Sequence, residues 1–86
     1  MNAKSEKLKK ACKAALLAFQ KLGNSEYEDI RSKLEFVIGS YEFDSNPVGL
    51  YEFGEKALKT LLDVKKKSPK KISNKIITDL ETSLKP

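Results

Sequence analysis

The side chains that most often carry out chemistry are scarce in this chain. The sequence has no histidine and a single cysteine, Cys12, so the commonest general base and metal ligand is missing. One cysteine also excludes an intramolecular disulfide and a zinc site built from cysteines. Cys12 lies within an apolar helical stripe, with no nearby base or helix N-terminus to activate it. We therefore expect a buried, structural thiol.

Carboxylates and lysines are the other side chains from which a catalytic site would be built. Glu26, Glu28 and Asp29 form the densest acidic group. Acids at the positive end of a helix typically compensate its dipole, and the sequence lacks the spaced oxygen ligands of a calcium loop. No carboxylate or lysine pair is singled out by its spacing or by an apolar setting. We therefore expect no enzyme activity, no cofactor and no metal site.

The densest basic cluster consists of Lys65, Lys66, Lys67, Lys70 and Lys71. It belongs to an uneven charge pattern, with net charges of +5 over residues 1–22, −6 over residues 23–55 and +6 over residues 56–86. Such a cluster can neutralise the phosphates of a nucleic acid. The chain has one arginine, Arg31, and no recognition-helix or RNA-binding-sheet signature. We expect a solvated connection, with weak nucleic-acid binding as an alternative function.

Apolar residues recur at spacings of three and four, which predicts four helices over about 4–22, 25–41, 46–66 and 69–84. The third helix has the clearest start, since Asn46 or Ser45 can cap it and Pro47 suits its first position. Its apolar stripe covers about half of the circumference, which favours a place between two neighbours. No stretch alternates long enough for a strand. Residues 1–86 are therefore predicted to form one all-α domain, a small antiparallel four-helix bundle.

The predicted core combines apolar positions from all four helices. Its expected members are Leu8, Cys12, Leu16, Phe19, Ile30, Leu34, Ile38, Leu50, Ala57, Leu58, Leu61, Ile76 and Leu80. Gly54 lies on the same stripe as Leu58, and we expect another backbone to approach closely there. If Leu58 is fully enclosed, Leu58→Ala should cost roughly 2–5 kcal/mol of stability.

Several helix boundaries depend on local signals. Ser25 and Glu28 have the spacing of a capping box at the start of the second helix, and Gly39-Ser40 should loosen its end. The fourth helix is expected to start at Ser68-Pro69, with Ser73-Asn74 as a second possible start.

Phe36 does not belong to the apolar stripe of the second helix. It lies about 180° from the centre of that stripe, at 100° per residue, on a face with Gly39 and Ser40 and with Phe43 just beyond. Two interpretations remain open. Either Phe36, Phe43, Gly39 and Ser40 form an exposed surface that binds a partner, or the fourth helix covers this face and makes Phe36 a second core residue.

The sequence predicts a cytoplasmic protein. No segment approaches the roughly 18 apolar residues of a membrane span. Residues 11–19 are largely apolar and follow several lysines, but Lys13 interrupts them and no small-residue cleavage site follows, so we expect no signal peptide. The unpaired cysteine agrees with a reducing compartment. The leading functional interpretation is a protein-interaction module that binds another protein or itself.

The layout is similar to that of the small cytosolic bacteriocin-immunity proteins, which are lysine-rich four-helix bundles of about this length. Asn24-Ser25-Glu26-Tyr27-Glu28-Asp29-Ile30 looks like the acidic, tyrosine-containing entry to a helix in that family. The resemblance covers this segment and the helix order, and no functional residue is carried over from it. It implies a bacteriocin-immunity-like protein as an alternative function.

Overall fold

The computed structural model describes residues 3–23 and 25–84, with side chains from residue 5 onward. Its four α-helices are α1 Ala3–Leu22, α2 Glu28–Asp44, α3 Val48–Lys67 and α4 Asn74–Leu84. Two short 3-10 turns, Ser25–Tyr27 and Pro69–Lys71, precede α2 and α4. The described ranges contain no strand. The prediction of an all-α, four-helix fold is confirmed.

Helices α1 and α3 form the centre of the bundle. Each of them packs against all three other helices, whereas α2 and α4 lie on opposite sides and make little contact with each other. The rings of Phe19 and Tyr27 lie 5.5 Å apart, and the Tyr41 hydroxyl donates to Glu6 Oε2 at 2.6 Å. Because the end of α1 meets the start of α2 and the start of α1 meets the end of α2, the two helices are antiparallel.

One apolar cluster joins the four helices. Its fully buried side chains are Phe19, Leu8, Leu34, Leu50, Leu61, Leu80 and Cys12. Four residues that were predicted for the core are only half-buried and pack against its rim: Leu16, Ile30, Leu58 and Ile76. In α4, Ile77 is buried in place of Ile76. The choice of Ile76 for the core was wrong because α4 starts later than predicted. Ile72 lies before the helix, so the spacing from Ile72 to Ile76 does not define the buried face of α4.

The first of the two predicted starts of α4, at Ser68-Pro69, is wrong. Pro69 opens a 3-10 turn, and the α-helix begins only at Asn74. Ser73 Oγ accepts a hydrogen bond from the backbone N–H of Lys75 at 3.1 Å. The second predicted start, Ser73-Asn74, is therefore the correct one.

Helix α2 begins and ends three residues later than predicted. Its first residue is Glu28, and no side chain caps the N-terminus, so the predicted capping box is wrong. At the other end the helix continues past Gly39 and Ser40 to Asp44. The N–H of Ser45 makes the last helical hydrogen bond, to the Tyr41 carbonyl at 2.7 Å, and the left-handed φ of 60° at Ser45 turns the following chain out of the helix.

One of the two residues predicted to cap the start of α3, Asn46, does so. Asn46 Oδ1 accepts a hydrogen bond from the N–H of Val48 at 3.1 Å, so Asn46 satisfies one of the free donors at the helix start. Ser45 ends α2 instead of capping α3. Within α3, a methyl group on Gly54 would lie 3.3 Å from Leu84 Cδ2 and 3.4 Å from Cys12 Sγ. Gly54 therefore makes room for side chains of α4 and α1, not for another backbone as predicted.

Candidate functional site: an exposed aromatic face of α2

The two phenylalanines singled out in the sequence are both exposed on α2. Phe36 is 73% exposed and Phe43 is 92% exposed. They are seven residues apart, which places them on the same side of the helix, two turns from each other. Gly39 and Ser40 lie between them and are also exposed. We call these four residues, Phe36, Gly39, Ser40 and Phe43, the α2 face.

The position of α4 rules out one of the two interpretations of Phe36. Helix α4 packs against α1 and α3 on the far side of the bundle and makes little contact with α2. The expectation that α4 covers Phe36 and makes it a core residue is therefore wrong. The core side of α2 consists instead of Leu34, Val37, Ile38 and Tyr41.

A shallow groove follows each side of the α2 face. Between α1 and α2 the groove is lined by Lys13, Leu16, Leu17, Glu35, Ile38, Gly39 and Glu42. Between α2 and the start of α3 it is lined by Phe36, Val37, Ser40, Asn46, Val48, Gly49, Glu52 and Phe53. Gly49 brings α3 close to α2, since a methyl group there would lie 2.9 Å from Val37 Cγ1. The face is thus a ridge between two grooves.

The walls of the grooves add apolar surface to the α2 face. Leu17 is 57% exposed in the first groove, and Val48 is 66% exposed in the second. Leu17 lies outside the buried residues of α1. The exposure of Val48 was not predicted, because it depends on the turn that brings α3 beside α2.

Acids outnumber bases among the side chains that line the two grooves. Glu35 and Glu42 line the first groove and Glu52 lines the second, and all three are exposed. Lys13 is the basic residue of the first groove, with its Nζ 3.5 Å from Glu42 Oε1. Helix α2 as a whole carries five acids and two bases.

The second groove also has basic side chains beside it. Lys33 and Lys56 lie over the Phe53 ring, with Nζ 5.8 and 4.9 Å from its centroid. The site is therefore an exposed aromatic face whose acidic border is the α1 side.

The lysine cluster lies at the C-terminal end of α3 and in the 3-10 turn after it. Lys65 Nζ donates to the Ile72 carbonyl at 3.1 Å, and Lys67 Nζ is 3.3 Å from Asp63 Oδ2. Lys66, Lys70 and Lys71 are solvent-exposed. Two of the five lysines thus have contacts within the chain that stabilise the end of α3 and the turn after it.

We predict that this cluster gives no specific nucleic-acid site. In a fluorescence titration with duplex DNA and single-stranded RNA at roughly physiological salt, binding should stay weaker than micromolar and fall steeply as salt rises. The control is a variant with alanine at positions 66, 67 and 70. Sub-micromolar binding that this variant loses would contradict the prediction and favour the nucleic-acid alternative.

Contacts within the bundle change the pKa of Cys12, Glu6 and Tyr41. Cys12 is fully buried, its Sγ lies 3.9 Å from the Leu50 carbonyl oxygen, and burial raises the pKa of the thiol to about 12. The hydrogen bond from Tyr41 lowers the pKa of Glu6, and the same bond raises the pKa of Tyr41. In the part of the chain that is described, no three metal-binding side chains meet. The expectation of a buried thiol is confirmed.

Comparison with known proteins gave no match among family models, curated sequences or solved structures. The features of this chain alone therefore define its class, a four-helix bundle with an exposed aromatic face on one outer helix. None of the helices within residues 3–23 and 25–84 is long and apolar enough to cross a membrane.

Proposed function

We propose that this protein is a small helical protein-interaction module that binds a partner through the α2 face. The exposure of both Phe36 and Phe43 on one side of α2 carries the proposal. An aromatic side chain gains much of its binding free energy by leaving water, and buried aromatic anchors dominate many interfaces. Two such side chains two turns apart, with Gly39 and Ser40 between them, offer anchors that a partner can approach closely.

The α2 face is separate from the packing that holds the bundle together. The buried side of α2 already supplies Leu34 and Tyr41 to the core. The exposed phenylalanines therefore add apolar surface that the fold itself does not use. In this proposal the protein acts by binding and carries out no reaction of its own. A cytoplasmic location fits the unpaired Cys12.

The test compares capture of partners by three immobilised forms of the protein: the native chain, a Phe36→Ser/Phe43→Ser double variant and a Leu62→Ser control. Leu62 is 41% exposed on α3, away from both grooves, so the control removes apolar surface elsewhere. Since an anchor residue is typically worth 2 kcal/mol or more, each lost anchor should weaken capture by roughly thirtyfold. Extracts of the native cell and quantitative mass spectrometry provide the measurement.

We expect the native chain and the Leu62→Ser control to capture the same proteins and the double variant to lose them. Circular dichroism must show that the double variant is folded. Equal capture by a folded double variant would refute the proposed site. A bacteriocin gene beside the gene for this chain would instead favour the immunity-like alternative.

A further inference from the structure

We propose that the partner segment seated on the α2 face is a cationic amphipathic helix. This inference rests on the proposed function and adds the chemistry of the partner. It follows from the charges that border the face, from the distance between its two aromatic anchors and from the small residues between them.

The acids on the α1 side are placed to meet cationic side chains on one flank of a bound helix. Glu35 and Glu42 are seven residues apart and border the face on the α1 side, and Glu52 borders it on the α3 side. Lys13 offsets part of this charge through its contact with Glu42 at 3.5 Å.

On the α3 side, Lys33 and Lys56 lie over the Phe53 ring, with Nζ 5.8 and 4.9 Å from its centroid. These two lysines offset Glu52. The remaining negative charge lies on the α1 side and favours lysines or arginines along one flank of the partner's apolar stripe.

The geometry of the ridge suits a helix. Phe36 and Phe43 are separated by about 10.5 Å along the axis, at 1.5 Å per residue. A partner helix repeats its own apolar positions at the same two-turn interval. Gly39 and Ser40 are exposed between the phenylalanines, and an added methyl group on Gly39 would meet nothing within 4 Å in this chain. A second helix can therefore approach the backbone of α2 closely.

The same charges disfavour a second copy of this chain as the occupant. A symmetric dimer through α2 would bring five acids and two bases against an identical set, which is an unfavourable pairing of like charges. If the basic Lys65–Lys71 region of another copy contacted the α2 face instead, the contact would be head-to-tail. Such a contact leaves further faces open and extends into chains of molecules unless a rotation closes it.

Selection from a displayed peptide library measures directly which flanking charges the α2 face prefers. The library consists of 20-residue helical peptides that share one apolar stripe, with flanking positions randomised among Lys, Glu, Ser and Ala. It is selected on the folded native protein and counter-selected on the Phe36→Ser/Phe43→Ser variant. We expect the enriched peptides to carry Lys along one flank of the apolar stripe, the flank that faces Glu35 and Glu42.

Titration of the most enriched peptide then tests the acids. A Glu35→Lys/Glu42→Lys variant should bind it roughly tenfold more weakly at low salt, with a smaller difference at high salt because exposed charges are screened. Asp79→Lys/Glu81→Lys, which reverses two exposed acids on α4, is the matched control and should bind as the native protein does.

The outcomes separate the inference from the proposed function. Enrichment of neutral or acidic peptides that still require Phe36 and Phe43 would overturn the cationic partner and leave the α2 face as a binding site. Self-association through Phe36, measured by sedimentation equilibrium, would have the same meaning. No peptide enriched on the native protein over the double variant would overturn the inference together with the proposed site.

Discussion

Leu61→Ala should lower the free energy of unfolding by about 2–5 kcal/mol, because the lost side chain leaves a cavity in a packed core. Leu61 is fully buried in α3, the helix that the other three helices all contact. Leu58→Ala should cost less, since Leu58 is half-buried at the rim of the core. Both residues were predicted for the core, but Leu61 is fully buried and Leu58 is only half-buried.

Urea unfolding of the two variants measures this difference. The slope of the free energy against urea concentration should stay near the native value, so that a shift of the midpoint reports stability. A loss below about 1 kcal/mol for Leu61→Ala, or an equal loss for the two variants, would contradict the described packing.

Cys12 should react with a thiol reagent about a thousandfold more slowly in the folded protein than in the unfolded chain, or slower still. The thiolate is the reactive form, and burial raises the pKa of Cys12 from 9.0 to about 12. At neutral pH, each unit of that rise reduces the thiolate fraction tenfold. Access is a second restriction, because the side chain is fully buried between Leu50 and Gly54. Modification should therefore proceed through opening of the bundle.

The Leu61→Ala variant is the matched comparison for the thiol reaction. If opening and closing are fast relative to modification, the rate follows the population of the open form. A loss of 2–5 kcal/mol should then accelerate the reaction by roughly 30- to 5000-fold. The thiol reagent is an aromatic disulfide, and the rate is followed by the absorbance of the aromatic thiolate that it releases when Cys12 attacks it. Modification of the native protein at the rate of the unfolded chain would show that Cys12 is accessible.

The sequence predicted the parts of the fold that depend on local signals. The apolar spacing of α1 and α3 and the Asn46 cap are set by nearby residues, and they gave helix positions within two residues. The predicted end of α2 was three residues too early. The helix ends at the left-handed φ of Ser45, a conformation that glycine or asparagine usually marks in a sequence and serine does not.

The start of α4 and the exposure of Phe36 depended on packing between distant segments. Ser68-Pro69 and Ser73-Asn74 are both acceptable helix starts by sequence. The extended backbone of Ile72 and the bond from Lys65 to its carbonyl at 3.1 Å accompany the later start. The sequence also left open whether α4 covers Phe36, because periodicity defines the faces of a helix but not the side on which a later helix packs.

The central claim is that the α2 face is available for binding because the bundle does not need it. The most direct test is the change in unfolding free energy for Phe36→Ser, with Leu34→Ser as the matched substitution on the buried side of α2. Phe36→Ser should change stability by no more than about 0.5 kcal/mol, as most exposed substitutions do. Leu34→Ser should cost several times more, since it removes core packing and buries a hydroxyl. A loss above about 2 kcal/mol for Phe36→Ser would show that this side chain is enclosed and would contradict the account.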